Sequence, residues 1–131
     1  MSLGKKIPNN LDEALEYLKR YSGERFIDHV LSIKEKDFEI ESHFSIGKEI
    51  RNSWKLWEGS KLSQWFNDRN IYHPDDMSGI IITSFHRKLH NKDINLDEQI
   101  KVYIDYWTEK DEMKTMEKLV NKYASFRDDD D

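Results

Sequence analysis

Residues 73–89 read HPDDMSGIIITSFHRKL, and this stretch combines a helix start with an apolar run. Proline is favoured at the first position of a helix, where its missing N–H costs no hydrogen bond. With Pro74 in that position, His73 is the N-cap, and Asp75 and Asp76 fall in the first turn. Carboxylates there face the positive end of the helix dipole. The stretch therefore predicts a helix from Pro74 to about Leu89.

Three segments upstream place apolar side chains at the i, i+3, i+4, i+7 spacing of an amphipathic helix. Asn10 is the expected N-cap of the first segment, residues 11–20. The second segment covers residues 24–33. The third is predicted as one long helix over residues 35–57, with Gly47 in its inner stripe. Because glycine within a helix costs roughly 1 kcal/mol relative to alanine, another helix is expected to pack closely there.

A tight break at Gly59 separates that long helix from a short one, residues 61–69, with Ser60 as its N-cap. A last helix begins at residue 96 or 97, reaches Trp107, and continues or restarts toward residue 123. No segment alternates with the period of two that strands require. The sequence predicts an all-α fold, a compact bundle of about five to six helices without a sheet.

The chain has the length of one domain. Residues 1–6 are expected to be disordered or foreign to the natural chain, and residues 7–107 form a single helical domain. Residues 108–125 are predicted to be a helical extension, and residues 126–131 an acidic, frayed tail. The extension carries an apolar stripe that suits a docking helix or a dimer seam, although packing on the domain is the preferred interpretation. The stripe consists of Met113, Met116, Leu119, Val120 and Tyr123.

Composition excludes several classes of protein. The absence of cysteine rules out disulfides, thiolate metal sites and cysteine nucleophiles. The net charge of −5 argues against binding to duplex DNA, which usually needs a basic face. No apolar run approaches the roughly 20 residues of a membrane span. The expected partner is a protein rather than a membrane or a nucleic acid, in the cytoplasm, with the oligomeric state open.

A candidate polar site lies where the long helix ends near the start of the helix at Pro74. Arg51 is predicted to contact Asp75 or Asp76, because a guanidinium binds a carboxylate or an anionic ligand in a bidentate way. Ordinary helix capping and a core histidine explain the same residues. The candidate residues are His43, Arg51, Asn52, His73, Asp75, Asp76 and Ser78.

A candidate interaction surface clusters around the Gly59 turn, because aromatic side chains make strong interface anchors. The alternative is that these side chains fill the core. The candidates are Trp54, Trp57, Trp65 and Tyr72.

Four motifs resemble a small bacterial family that is classed only as a domain of unknown function. The run H-x-x-I-G-x-x-I-R-N-x-W-x-L-W-x-G-S-x-L spans residues 43–62, and N-I-x-H-P-D-D-M-S lies within residues 70–82. I-P-x-N-L-D-E-A-L opens the similarity at residue 7, and L-x-x-Q-I-x-x-Y-x-x-Y-W closes it at residue 107. The resemblance implies a bacterial helical domain and supplies no activity, substrate or catalytic residue.

Three functions stay open. A protein-interaction or adaptor domain is favoured, since no catalytic set, metal or cofactor is predicted. A metal-binding or anion-binding site, with or without enzymatic activity, would use the polar residues above, with His86 as a further candidate. A nucleic-acid-binding domain would rest on the helix–Gly59–helix unit, whose flanking residues match a helix-turn-helix poorly.

Overall fold

The computed structural model describes residues 3–128, with side chains from residue 3 to residue 125. Within that range the regular secondary structure consists of seven α-helices, with no strand. The bounds are α1 Leu11–Tyr21, α2 Glu24–Ser32, α3 Glu35–Ser42, α4 Ile46–Ser53, α5 Lys61–Asn67, α6 Pro74–Leu89 and α7 Leu96–Asp128. The predicted fold class is confirmed. No helix among these residues combines the length and apolarity that a membrane crossing requires.

The helix α6 is the centre of the bundle, and all six other helices pack against it. Its sequence explains this position, because Ile80, Ile81 and Ile82 put apolar side chains on several faces of one helix. The predicted start is confirmed: Pro74 occupies the first turn, and the His73 side chain accepts a hydrogen bond from the Asp75 N–H. The predicted end at Leu89 is also confirmed.

The predicted long helix over residues 35–57 is wrong, because the chain breaks it twice. The helix α3 ends at Ser42, a turn covers residues 43–45, and α4 begins at Ile46. At its other end α4 gives way to turns from residue 54, where Lys55 adopts a left-handed φ of 52°. The Leu56 N–H then donates to the Arg51 carbonyl, which is the hydrogen bond of a Schellman helix end. These breaks let α3 and α4 each pack on α6.

Gly47, at the start of α4, lies very close to neighbouring parts of the chain. A Cβ atom there would lie 2.8 Å from the Ser42 carbonyl oxygen and 3.1 Å from Ile82 Cδ1 of α6. The predicted close approach at Gly47 is therefore present, and backbone as well as a helix side chain causes it.

Gly47→Ala is expected to destabilise the fold by about 1–3 kcal/mol, the usual cost of overpacking. Alanine is the better helix former by roughly 1 kcal/mol in a helix interior and by less at the second residue of α4, but a carbonyl oxygen of the main chain cannot swing away from its methyl group. Urea unfolding followed by circular dichroism measures the change. Gly23→Ala is the matched control, because no atom lies within 4 Å of its added Cβ. Equal stability of the Gly47→Ala and wild-type chains would contradict the close approach.

Two predictions about the chain ends need correction. Leu3 is only 1% exposed and belongs to the core. The prediction that residues 1–6 lie outside the fold is therefore wrong for Leu3. Residues 108–125 are exposed throughout, so the preferred packing of the extension on the domain is wrong. They continue α7 without a break. The predicted tail, residues 126–131, lies outside the described side chains.

Candidate functional site

The Arg51 guanidinium is the hub of the predicted polar site, and its side chain is 8% exposed. Its Nη1 donates to Ser78 Oγ at 2.8 Å, and its Nη2 donates to the His43 carbonyl at 2.8 Å. Its Nε lies 3.4 Å from Asp75 Oδ1. The predicted contact between Arg51 and Asp75 is therefore present, and every nitrogen of the guanidinium has a partner within the chain.

Several contacts in this cluster satisfy backbone groups. The His43 carbonyl lies in the turn after α3, where helical N–H donors are missing, and Arg51 supplies one. The Ser78 hydroxyl donates in turn to the Asp75 carbonyl at 3.0 Å. His73 Nδ1 accepts from the Asp75 N–H at 3.0 Å, so the ring caps α6 with that nitrogen unprotonated. The cluster ties the break between α3 and α4 to the start of α6.

Asp76 points to a different neighbour. Its Oδ2 accepts a hydrogen bond of 2.8 Å from Trp107 Nε1 of α7. The Trp107 ring stacks on the His73 ring with 6.1 Å between centroids, and Trp57 meets His73 edge-on at 5.5 Å. His73, at the start of α6, thereby contacts two tryptophans that lie on other parts of the chain.

A groove of about 550 Å³ opens between the loop that precedes α6 and the middle of α7. Its lining carries two carboxylates and no lysine or arginine. On the loop side it is lined by Asn70, Ile71, Tyr72, His73, Pro74 and Asp76, and on α7 by Ile104, Trp107, Thr108 and Asp111.

The predicted interaction surface divides between core and surface. Trp54 is 0% exposed, so its assignment to the surface is wrong: the end of α4 turns the ring into the bundle. Trp57 and Tyr72 are 59% and 67% exposed. Trp65 is partly buried, and the Arg69 guanidinium lies 3.6 Å from its ring centroid. Only Tyr72 of the four predicted residues lines the groove.

The remaining candidates lie away from the groove. The His43 ring borders a separate cavity of about 140 Å³, together with Glu39 and Tyr103. Burial, and then the nearby carboxylates, raises the pKa of Tyr103 to about 12. Asn52 is exposed on α4. His86 is buried, and its Nε2 donates a hydrogen bond of 2.7 Å to the Ile33 carbonyl.

Residues 3–128 contain no group of three His, Cys, Asp or Glu side chains that could hold a metal ion. The polar cluster of Arg51 and Asp75 and the aromatic groove are thus the two built features near the start of α6.

This architecture defines a small all-helical domain with an aromatic groove at the start of its central helix. The chain belongs to the family described as Domain of unknown function (DUF6794), whose model matches residues 7–89. That match ends with α6, so the expected similarity up to residue 107 extends beyond it. No curated protein and no solved structure matches the chain. The groove therefore has one wall inside the matched region and one wall on α7 outside it.

Proposed function

We propose that the protein is an interaction domain whose groove beside His73 binds a short protein segment that carries an apolar side chain and a basic one. The observation that carries this proposal is the exposure of aromatic side chains on both sides of a formed groove. Tyr72 is 67% exposed on the loop wall, and Trp107 is 37% exposed on the α7 wall.

Aromatic side chains of this kind supply the anchoring energy of many interfaces. Tryptophan and tyrosine are enriched among the residues that dominate binding, because a rigid ring buries a large area at low cost in entropy. The Trp107 side chain on the α7 wall of the groove is already positioned before binding, because it donates a hydrogen bond to Asp76 and stacks on His73. A preorganised site spends less free energy on ordering its own side chains.

The charge of the groove supports a basic residue in the bound segment. Asp76 and Asp111 lie in the lining, and the chain carries a net charge of −5. Lys110 Nζ lies 5.1 Å from the Trp107 centroid, which shows that a cation can lie beside this ring. A lysine or arginine of the partner would be attracted by the two carboxylates of the lining.

The two alternative functions have weaker support. An anion at the Arg51 cluster would have to replace contacts that the guanidinium already makes to Ser78, Asp75 and the His43 carbonyl. Nucleic acid would meet a groove whose charged lining is acidic. The geometry supports an interaction domain better than it supports either of these two functions.

The test begins with selection of short random peptides on the immobilised full-length protein. Selected peptides are synthesised, and their affinity is measured from the change in tryptophan fluorescence. We expect them to share an apolar or aromatic residue next to lysine or arginine. Tyr72→Ala should weaken their binding at least ~10-fold, the effect of truncating an anchor residue.

Tyr123→Ala is the matched control, because Tyr123 has nearly the same exposure, 69%, but lies on α7 beyond the groove. This variant should bind the selected peptides like the wild type. Enrichment of acidic peptides, or equal loss of binding in both variants, would contradict the proposal.

A further inference from the structure

The helix α7 exposes an apolar stripe on one face over most of its length. Its members, each 54–72% exposed, are Val102, Tyr106, Met113, Met116, Val120 and Tyr123. With Glu109 in the one remaining position, they are spaced four and three residues apart in alternation. This is the heptad pattern of the a and d positions in a coiled coil.

The stripe lies on the opposite side of α7 from the domain. Residues Ile100 and Ile104 of α7 pack against the core, and Ile104, Trp107 and Asp111 line the groove. At 3.6 residues per turn these positions lie roughly half a turn away from the line that joins Val102 and Tyr123. A helix lying along the stripe would therefore meet neither the groove nor the core.

The length of this exposed apolar stripe favours its association with another helix. It spans roughly 32 Å of helix axis at 1.5 Å per residue. Residues 108–125 are exposed all round, and a helix without tertiary packing is marginal in water. A contiguous exposed apolar patch marks a site of association.

We propose that the stripe pairs with the same stripe of a second copy of this chain, with the two α7 helices antiparallel. In this register Met113 faces Met116 of the second copy, and Tyr106 faces Tyr123 of the second copy. Glu109 faces Val120 of the second copy, so each polar residue in the seam meets an apolar one.

The charges that flank the stripe select both the second copy and its direction. In the antiparallel register Lys110 lies beside Glu117 of the second copy, and symmetry repeats this attractive pair. A parallel pair in register would keep one attractive pair, Asp105 beside Lys110 of the second copy, but would offset it by placing Glu112 beside Glu117 of the second copy and the two Glu109 side chains against each other. Charges at the positions next to the seam determine partner choice and orientation.

Sedimentation equilibrium of the full-length chain tests the proposal. The wild type is expected to be a dimer in equilibrium with monomer. Glu117→Lys should weaken the dimer roughly 10-fold, because two attractive pairs become repulsive. Lys110→Glu combined with Glu117→Lys should restore the wild-type dissociation constant. A parallel dimer gives the opposite result, since Glu117→Lys would then pair with Glu112 and tighten it.

Two controls separate the seam from general effects of charge and from the groove. Lys118→Glu alters the charge by as much as Lys110→Glu but lies away from the seam, so it should leave the dissociation constant unchanged. Tyr72→Ala removes a groove residue and should also leave it unchanged. The dimerisation experiment can therefore be interpreted independently of the peptide-binding experiment.

Three outcomes would overturn the antiparallel dimer. The first is a monomer at all concentrations up to roughly 1 mM. The second is a dimer that survives the double substitution Met113→Lys and Met116→Lys. The third is a tighter dimer with Glu117→Lys. Circular dichroism and thermal unfolding confirm that each variant keeps the fold of the domain.

Discussion

Trp54→Ala is expected to lower the free energy of unfolding by about 3–5 kcal/mol, the usual cost of truncating a buried tryptophan. The ring is 0% exposed and belongs to the core cluster around α6. Its Nε1 has no hydrogen-bond partner, so the loss comes from packing and burial alone. Domains of this size are stable by only about 5–15 kcal/mol, so the variant should unfold at much lower urea concentration. Urea titration followed by circular dichroism measures the midpoint.

Trp57→Ala is the matched control, three residues along the chain and 59% exposed. It should stay within about 0.5 kcal/mol of the wild type, as surface substitutions usually do. A loss below about 1 kcal/mol for Trp54→Ala would place that ring outside the core. The contrast matters for function, because a binding defect is interpretable only in a variant that remains folded.

The two tryptophans show why the sequence predicted the helices better than the turns between them. An apolar stripe from residue 43 to residue 57 suggests one helix over residues 35–57, and the actual breaks have weak signals. The left-handed φ at a helix end favours glycine or asparagine, but here it falls on Lys55. Tertiary packing on α6 overrides the local preference, and it turns Trp54 inward while Trp57 stays outside.

The candidate site was predictable where short-range rules decide it. Pro74 and the two aspartates fix the start of α6, and a nearby arginine near the end of its own helix finds a carboxylate. The role of Trp107 could not be read in the same way. Its spacing predicts an inward-facing position on α7, but the partner Asp76 lies 31 residues earlier in the chain, and no local pattern joins the two.

Arg51→Met should destabilise the protein by about 2–4 kcal/mol, because methionine preserves much of the volume and removes every donor. The buried contact to the Ser78 hydroxyl and the part-buried contact to the His43 carbonyl would both be lost, although Ser78 Oγ would still donate to the Asp75 carbonyl. Each unsatisfied buried group costs about 1–3 kcal/mol. Arg51→Lys should recover only part of the loss, since an ammonium cannot reach three separate acceptors in the geometry of the guanidinium. Thermal unfolding and urea titration give the two free energies.

Two further substitutions assign the cause of that loss. Asn52→Ala changes the neighbouring exposed residue of α4 and should stay within about 0.5 kcal/mol of the wild type. Asp75→Asn should cost less than about 1 kcal/mol, because that carboxylate is 41% exposed and solvent screens its pair with Arg51. A large loss for Arg51 beside a small one for Asp75 would mean that the guanidinium acts mainly as a hydrogen-bond donor joining the break after α3 to α6. If Arg51→Met were neutral or stabilising instead, the buried cation would be held at a cost to stability, as binding residues often are. Anion titrations of the wild type would then follow.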